Sequence, residues 1–207
     1  MPEIRLIATA VHGRYLLREG GPRLLVGFHG YAENADIHMA QLEQIPGVSE
    51  WTIAAVQALH PFYTRNEQLI VANWMTHMDR EHAIADNLEY VRRVVSELGN
   101  PRPFVFLGFS QGAAMAYRAA SHIPCDGLIV LGGHVPSDVA AQDPVQLPPR
   151  VLVARGDRDD WFPAEKLKND LKFLSGVTVV TACAFDGAHE WTDEFRAAAG
   201  RFLESVR

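Results

Sequence analysis

Ser110 lies in Gly108-Phe109-Ser110-Gln111-Gly112, a serine flanked by glycines two residues away on each side. Residues 103–109 (Pro-Phe-Val-Phe-Leu-Gly-Phe) read as a buried strand, and the Ala-rich residues 111–122 read as a helix. A serine on a sharp strand-to-helix turn presents its hydroxyl as a nucleophile for acyl transfer. Its backbone is strained there, and a Cβ at either glycine would crowd the turn. A hydroxyl is a weak nucleophile until a base takes its proton, and that base needs a partner to orient it. His189, in Asp186-Gly187-Ala188-His189-Glu190-Trp191, is the candidate base. The orienting carboxylate is sought in Gly156-Asp157-Arg158-Asp159-Asp160-Trp161-Phe162-Pro163, where three aspartates compete. At least two of them must be loop charges or helix-capping groups.

The negative oxygen that forms on the attacked carbonyl needs two backbone N–H donors. One is that of Gln111, which follows the nucleophile. The other falls in Phe28-His29-Gly30-Tyr31, just past an early strand, where Gly30 permits close approach and Tyr31 is the natural donor. His29 reads as a brace of this loop and not as the base.

These residues need a scaffold that brings distant loops together, and the chain alternates accordingly. Strands are expected at 14–18, 23–29, 51–57, 103–109, 127–131, 150–155 and 177–184. Helices are expected at 37–45, 79–98, 111–122, 164–174 and 190–206. The helix at 79–98 repeats apolar residues at Ile84, Leu88, Val91, Val95 and Leu98, and Gly99-Asn100-Pro101 stops it. Residues 59–73 read as an irregular loop and 134–149 as a proline-punctuated excursion. Strand–helix alternation implies an α/β fold, a mostly parallel twisted sheet with helices on both faces. Candidate sites then collect at the carboxyl ends of the strands, where all three loops lie. The chain is spent on this core, with no lid domain, repeat or low-complexity tract, so residues 1–207 are expected to form one domain.

At 207 residues the chain is long enough to build its own core. Hydrophobic residues are 48% and charged residues 21%, ordinary for a globular protein. The net charge of −6 argues against nucleic acid or an anionic membrane as the main partner. Cys125 and Cys183 stand alone in apolar stretches, which suggests a reducing compartment and not a disulfide scaffold. Residues 1–9 lack the apolar run of a signal peptide, and no stretch reaches the ~20 apolar residues of a membrane span, so a cytoplasmic location is expected. His77 and His82 stand near a helix start with Asp79 and Glu81 between them. They read as solvated residues and not as metal ligands.

Taken together, Phe28-His29-Gly30-Tyr31, Asn73-Trp74, the serine pentapeptide, the 156–163 loop and Gly187-Ala188-His189 resemble the carboxylesterase/phospholipase group of α/β-hydrolases, which includes the acyl-protein thioesterases. The resemblance spans roughly residues 24–202. It implies the chain order Ser110, Asp159, His189, because the family's aspartate stands three residues after the glycine and four before the proline. It implies a serine carboxylesterase that passes through an acyl-enzyme intermediate on small or short-chain esters. Thioesterase, lysophospholipase or another acyl transfer on the same triad is the alternative, and a non-catalytic scaffold is a further one. No cofactor or metal is expected. The partner is a small-molecule ester, and a homodimer is left open. Trp74, Tyr63, Trp161 and Trp191 are candidates to wall the substrate pocket. Three features depart from the family pattern. Arg155 replaces a histidine, Phe162 replaces a smaller aliphatic residue, and Glu33-Asn34-Ala35-Asp36 replaces a Gly-Asp-rich segment.

Overall fold

Three runs in this chain, Leu24-Leu25-Val26-Gly27-Phe28, Phe104-Val105-Phe106-Leu107-Gly108-Phe109 and Gly127-Leu128-Ile129-Val130-Leu131, show no polar alternation. Such strands must be covered on both faces, as the middle of a parallel sheet is. In the computed structural model, which describes residues 2–65 and 68–206, all three lie at the centre of a seven-stranded sheet. In chain order the elements are β1 (Tyr15–Arg18), β2 (Arg23–Phe28), α1 (Ala35–Leu42), β3 (Trp51–Val56), β4 (His60–Tyr63), β5 (Ile70–Asn73), α2 (Arg80–Glu97), β6 (Phe104–Phe109), α3 (Gln111–His122), β7 (Gly127–Leu131), α4 (Ser137–Ala140), β8 (Arg150–Gly156), α5 (Ala164–Leu174), β9 (Val179–Phe185) and α6 (Asp193–Ser205). The sheet order is β1-β3-β2-β6-β7-β8-β9. Only β1 runs antiparallel to its neighbour.

Successive side chains of a strand point to opposite faces. Leu24, Val26 and Phe28 enter a core with α2, α3 and α5, while Leu25 enters a second core with α1 and α6. Helices thus cover both faces, as expected. In α2 the predicted stripe is borne out: Leu88, Val91 and Val95 are buried, and Ile84 and Leu98 pack against the same core. The helix starts follow local chemistry. Asn34 caps α1 by accepting the Ile37 N–H at 2.8 Å, and Thr192 caps α6 by accepting that of Phe195 at 3.3 Å.

Two expectations are corrected. Residues 59–73 are not an irregular loop but contain the antiparallel pair β4–β5, with His60 opposite Asn73 and Tyr63 opposite Ile70; residues 66 and 67 lie outside the described residues. The pair is docked on the loop after β2, where Ala72 donates to Glu33 O at 2.7 Å and Ala32 to Ala72 O at 3.2 Å. The last helix begins at Asp193 and not at Glu190, so Trp191 precedes it.

Parallel strands end on one side of the sheet. The loops after β2, β6, β7, β8 and β9 therefore meet there, and the sheet fixes their relative positions. At the turn after β6, a Cβ on Gly108 would lie 2.2 Å from Gly112 O, and one on Gly112 would lie 2.0 Å from Phe28 O. Backbone meets backbone at both places, and neither side can give. Gly112→Ala is therefore expected to cost at least about 2 kcal/mol, read from urea unfolding. A cost below about 0.5 kcal/mol would contradict this packing.

Candidate active site

Ser110 sits between β6 and α3 with φ 55° and ψ −117°, a conformation that disfavours a residue with a side chain. Its N–H donates to Leu131 O at 2.9 Å, so the neighbouring strand holds the turn in place. The side chain faces a cleft of about 430 Å³ that is also lined by Tyr31, Gln111, Trp161 and His189.

His189 Nδ1 lies 2.8 Å from Asp159 Oδ2. A carboxylate only accepts, so Nδ1 carries the proton and Nε2 keeps its lone pair. Of the three competing aspartates, Asp159 alone is buried, at 2% exposure. Its Oδ1 accepts the N–H groups of Trp161 and Phe162, both at 2.9 Å, which fixes the carboxyl group while Oδ2 faces the imidazole. Asp157 is exposed, and its Oδ1 accepts the Gly187 N–H at 3.2 Å, tying the β8 loop to the loop that carries His189. Asp160 is exposed. The His189 ring packs on Phe109, with centroids 5.0 Å apart, and Trp161 lies 6.4 Å away. Ser110 Oγ makes no hydrogen bond among the described residues. Ser110 and His189 share the cleft.

Tyr31 and Gln111 line the same cleft, and their N–H groups donate to no acceptor among the described residues. The loop carrying Tyr31 is braced from below. His29 is fully buried, its Nε2 accepts the Ala58 N–H at 3.0 Å, and its Nδ1 therefore donates to Gly30 O at 2.7 Å. Burial pushes its pKa down to about 4, so it is a neutral strut, as the sequence reading has it. Glu33 Oε2 accepts the Gly30 N–H at 2.7 Å; burial raises its carboxyl pKa, and that hydrogen bond and His189 pull it partly back.

The aromatic candidates divide. Trp161 stands at the cleft, 80% exposed. Trp74 does not wall the pocket. It is fully buried against Phe28 and His29, and its Nε1 donates to His29 O at 2.8 Å, so it is a core prop of the oxyanion loop. Trp191 is likewise not at the cleft; it packs on Phe109, His38 and Phe195 behind it. Tyr63 lies on β4, 70% exposed and outside the cleft lining.

Other side chains at the site have roles that the sequence did not assign. The Gln111 side chain accepts the Trp74 N–H at 2.8 Å and donates to Met75 O at 2.9 Å, clamping the segment that leaves β5. Arg155 is buried and donates to the carbonyls of Phe162, Asp157 and Asp159 at 2.8, 3.2 and 3.3 Å, so it organises the loop carrying Asp159. Gly132, at φ 64°, leaves room for the base: a Cβ there would lie 2.8 Å from His189 Cε1. Two adjacent glycines at the end of an apolar strand were the available signal for it. Among the described residues no group of three or more His, Cys, Asp or Glu is placed to hold a metal ion. Both cysteines are free; Cys125 is buried, and burial pushes its thiol up to about 12, while Cys183 is half-buried on β9.

No family model matches the chain, and no curated protein matches it significantly. Solved structures do. Esterase PE8 superposes with a TM-score of 0.80 at 19% identity, covering 95% of this chain and 100% of its own. Acyl-protein thioesterase 2 of Zea mays gives a TM-score of 0.77 at 15% identity, covering 94% and 99%. The carboxylesterase of Bacillus cereus gives 0.72 at 18% identity, covering 94% and 95%. All three are α/β-hydrolases, and the fold of this chain is the α/β-hydrolase fold. Among the described residues no helix is long and apolar enough to cross a membrane.

Proposed function

We propose that the protein is a serine ester hydrolase acting on small, short-chain carboxylic esters. The observation that carries this reading is the Asp159–His189 contact at 2.8 Å in the same cleft as Ser110 on its strained turn. The esterases and thioesterase that share the fold support it at the level of a hydrolase.

In this reading the substrate carbonyl enters the cleft above Ser110. Oγ attacks the carbonyl carbon, and its proton passes to His189 Nε2, the nitrogen left free by the bond to Asp159. The resulting imidazolium is stabilised by the carboxylate and held in plane by Phe109. The carbonyl oxygen gains negative charge and is met by the N–H groups of Tyr31 and Gln111, each donor worth about 3–4 kcal/mol in comparable sites. His189 returns the proton to the departing alcohol as the tetrahedral species collapses, leaving the acyl group on Ser110. Water, deprotonated by His189, then releases the acid. The chemistry needs no metal or organic group.

Substrate size follows from the walls. The cleft of about 430 Å³ is bordered by Trp161, Tyr31 and Met75. Four-carbon acyl esters are expected to be turned over with kcat/KM at least about tenfold above sixteen-carbon esters across a graded panel of soluble substrates. A rise of kcat/KM with chain length would overturn the size assignment. No turnover of any ester, thioester or amide in the panel would overturn the hydrolase reading itself.

A further inference from the structure

The cleft around Ser110 has a charge character opposite to that of the chain. The chain holds 25 acidic residues against 19 Lys and Arg, yet among the described residues no Asp or Glu lines the cleft, and the one permanently charged lining residue among them is Arg80. Arg80 is the first residue of α2, so an 18-residue helix fixes the base of its side chain. The side chain is exposed, and its guanidinium has no carboxylate partner among the described residues. Asp79 and Glu81 flank it in sequence but do not line the cleft; Asp79 lines a neighbouring cavity of about 330 Å³ with His60 and His82.

A second observation points the same way. His134 lines the same cleft, and its pKa is lowered first by burial and then by three cations, Lys166, Arg118 and Arg80. These cations stand close enough to the cleft to act on His134, and Asp138 stands among them, its carboxyl pKa lowered by its hydrogen bonds from Arg118 and, more weakly, by Arg80. Arg118 is already satisfied, because its Nε and Nη2 donate to the two oxygens of Asp138 at 2.6 and 2.8 Å. Among the described residues neither Arg80 nor Lys166 has a carboxylate partner, and of the two only Arg80 lines the cleft; Asp138, which also feels Arg80, has both oxygens engaged by Arg118. A guanidinium in a cleft whose described lining holds no carboxylate, with a neutral imidazole on the same lining that can share a hydrogen bond, is a receptor for a carboxylate or phosphate.

We propose that Arg80 binds an oxyanionic group of the substrate, so that the enzyme selects esters bearing a carboxylate or phosphate over uncharged esters of equal size. The inference rests on the serine-hydrolase reading and narrows its substrate class. The anion is on the part of the ester that extends from Ser110 toward α2, and the reacting carbonyl stays at the Tyr31 and Gln111 N–H groups.

The test uses matched pairs. 4-Nitrophenyl hemisuccinate is compared with 4-nitrophenyl butyrate, butyryl glycolate with ethyl butyrate, and butyryl-glycerol phosphate with butyryl-glycerol. These arms separate an acyl carboxylate, an alcohol carboxylate and an alcohol phosphate. At least one anionic ester is expected to exceed its neutral partner about tenfold in kcat/KM, mainly through KM, with the advantage shrinking as salt is added. Arg80→Gln should bring that ratio near one, and Arg80→Glu should invert it. Arg93→Gln, a surface change on the same helix, should keep it. The inference fails if every neutral ester matches its anionic partner, or if Arg80→Gln retains the advantage. In that outcome neutral-ester turnover that still depends on Ser110 leaves the hydrolase reading standing. If no ester is turned over at all, both fall together.

Discussion

Ser110→Ala is expected to lose covalent labelling by a fluorophosphonate probe and nearly all ester turnover. The argument is geometric. The hydroxyl is the only side-chain nucleophile on the turn between β6 and α3, where the backbone is held at φ 55° by the Leu131 carbonyl and by the packing of Gly108 against Gly112. Cys125 offers no substitute, because burial keeps its thiol protonated, and Cys183 lies on the edge strand away from the cleft. In comparable triads, loss of the serine costs about 10⁶ in kcat. Here a drop of at least about a hundredfold is expected, with the melting temperature within a few degrees of wild type, because alanine adds no atom to the turn. Labelling is read by intact-mass spectrometry and activity on a four-carbon ester. An alanine variant that keeps more than a few per cent of activity, with contaminating esterase excluded, would show that the chemistry is elsewhere.

How much of this was legible in the sequence depends on what carried the signal. The central strands were legible because burial on both faces leaves an unbroken apolar run, and the serine turn because glycine is needed where Gly112 meets the Phe28 carbonyl. The helical stripe of α2 was legible for the same reason of periodicity. The β4–β5 pair was not. Its strands have four residues each, His60-Pro61-Phe62-Tyr63 is largely exposed, and a proline within a run argues against a strand unless it lies at an edge. Trp74 was misplaced because an aromatic residue at the end of a loop looks the same in sequence whether it lines a pocket or props one from beneath. What decides is the His29 carbonyl waiting for its Nε1, a contact across 45 residues.

The departures from the family pattern show the same limit from another side. Arg155 and Glu33 stand where the resembling family has other residues, and sequence gave no role for either. In the structure each satisfies backbone groups of a loop that carries a candidate site residue. Arg155 gathers three carbonyls around Asp159, and Glu33 takes the N–H of Gly30 beside Tyr31. A buried carbonyl or N–H left alone costs about 1–3 kcal/mol, so these side chains help hold the geometry of the two loops. Motifs name the reacting groups; which backbone groups a loop leaves to be satisfied is settled only by its folded shape, which is why the side chains that steady the loops escape a reading by motif.

The sharpest remaining test is internal to the β8 loop, where three aspartates within four residues have three different surroundings. Asp159→Asn is expected to lose at least about a hundredfold in kcat. The amide keeps the shape, and its oxygen can still accept the Trp161 and Phe162 N–H groups, but its NH₂ then faces His189 Nδ1. The imidazole is driven to the tautomer with its proton on Nε2, the nitrogen that must take the serine proton, and comparable triads lose about 10⁴ in kcat from this change. Asp157→Asn should stay within about tenfold of wild type, because an amide oxygen can still accept the Gly187 N–H, and the lost surface charge is screened. Asp160→Asn should do the same, since that side chain is exposed. Melting temperatures of the three variants separate catalytic loss from unfolding. If Asp157→Asn or Asp160→Asn were the crippled variant while Asp159→Asn worked normally, the carboxylate assignment would be wrong, and Ser110 and His189 would need another partner for the imidazole.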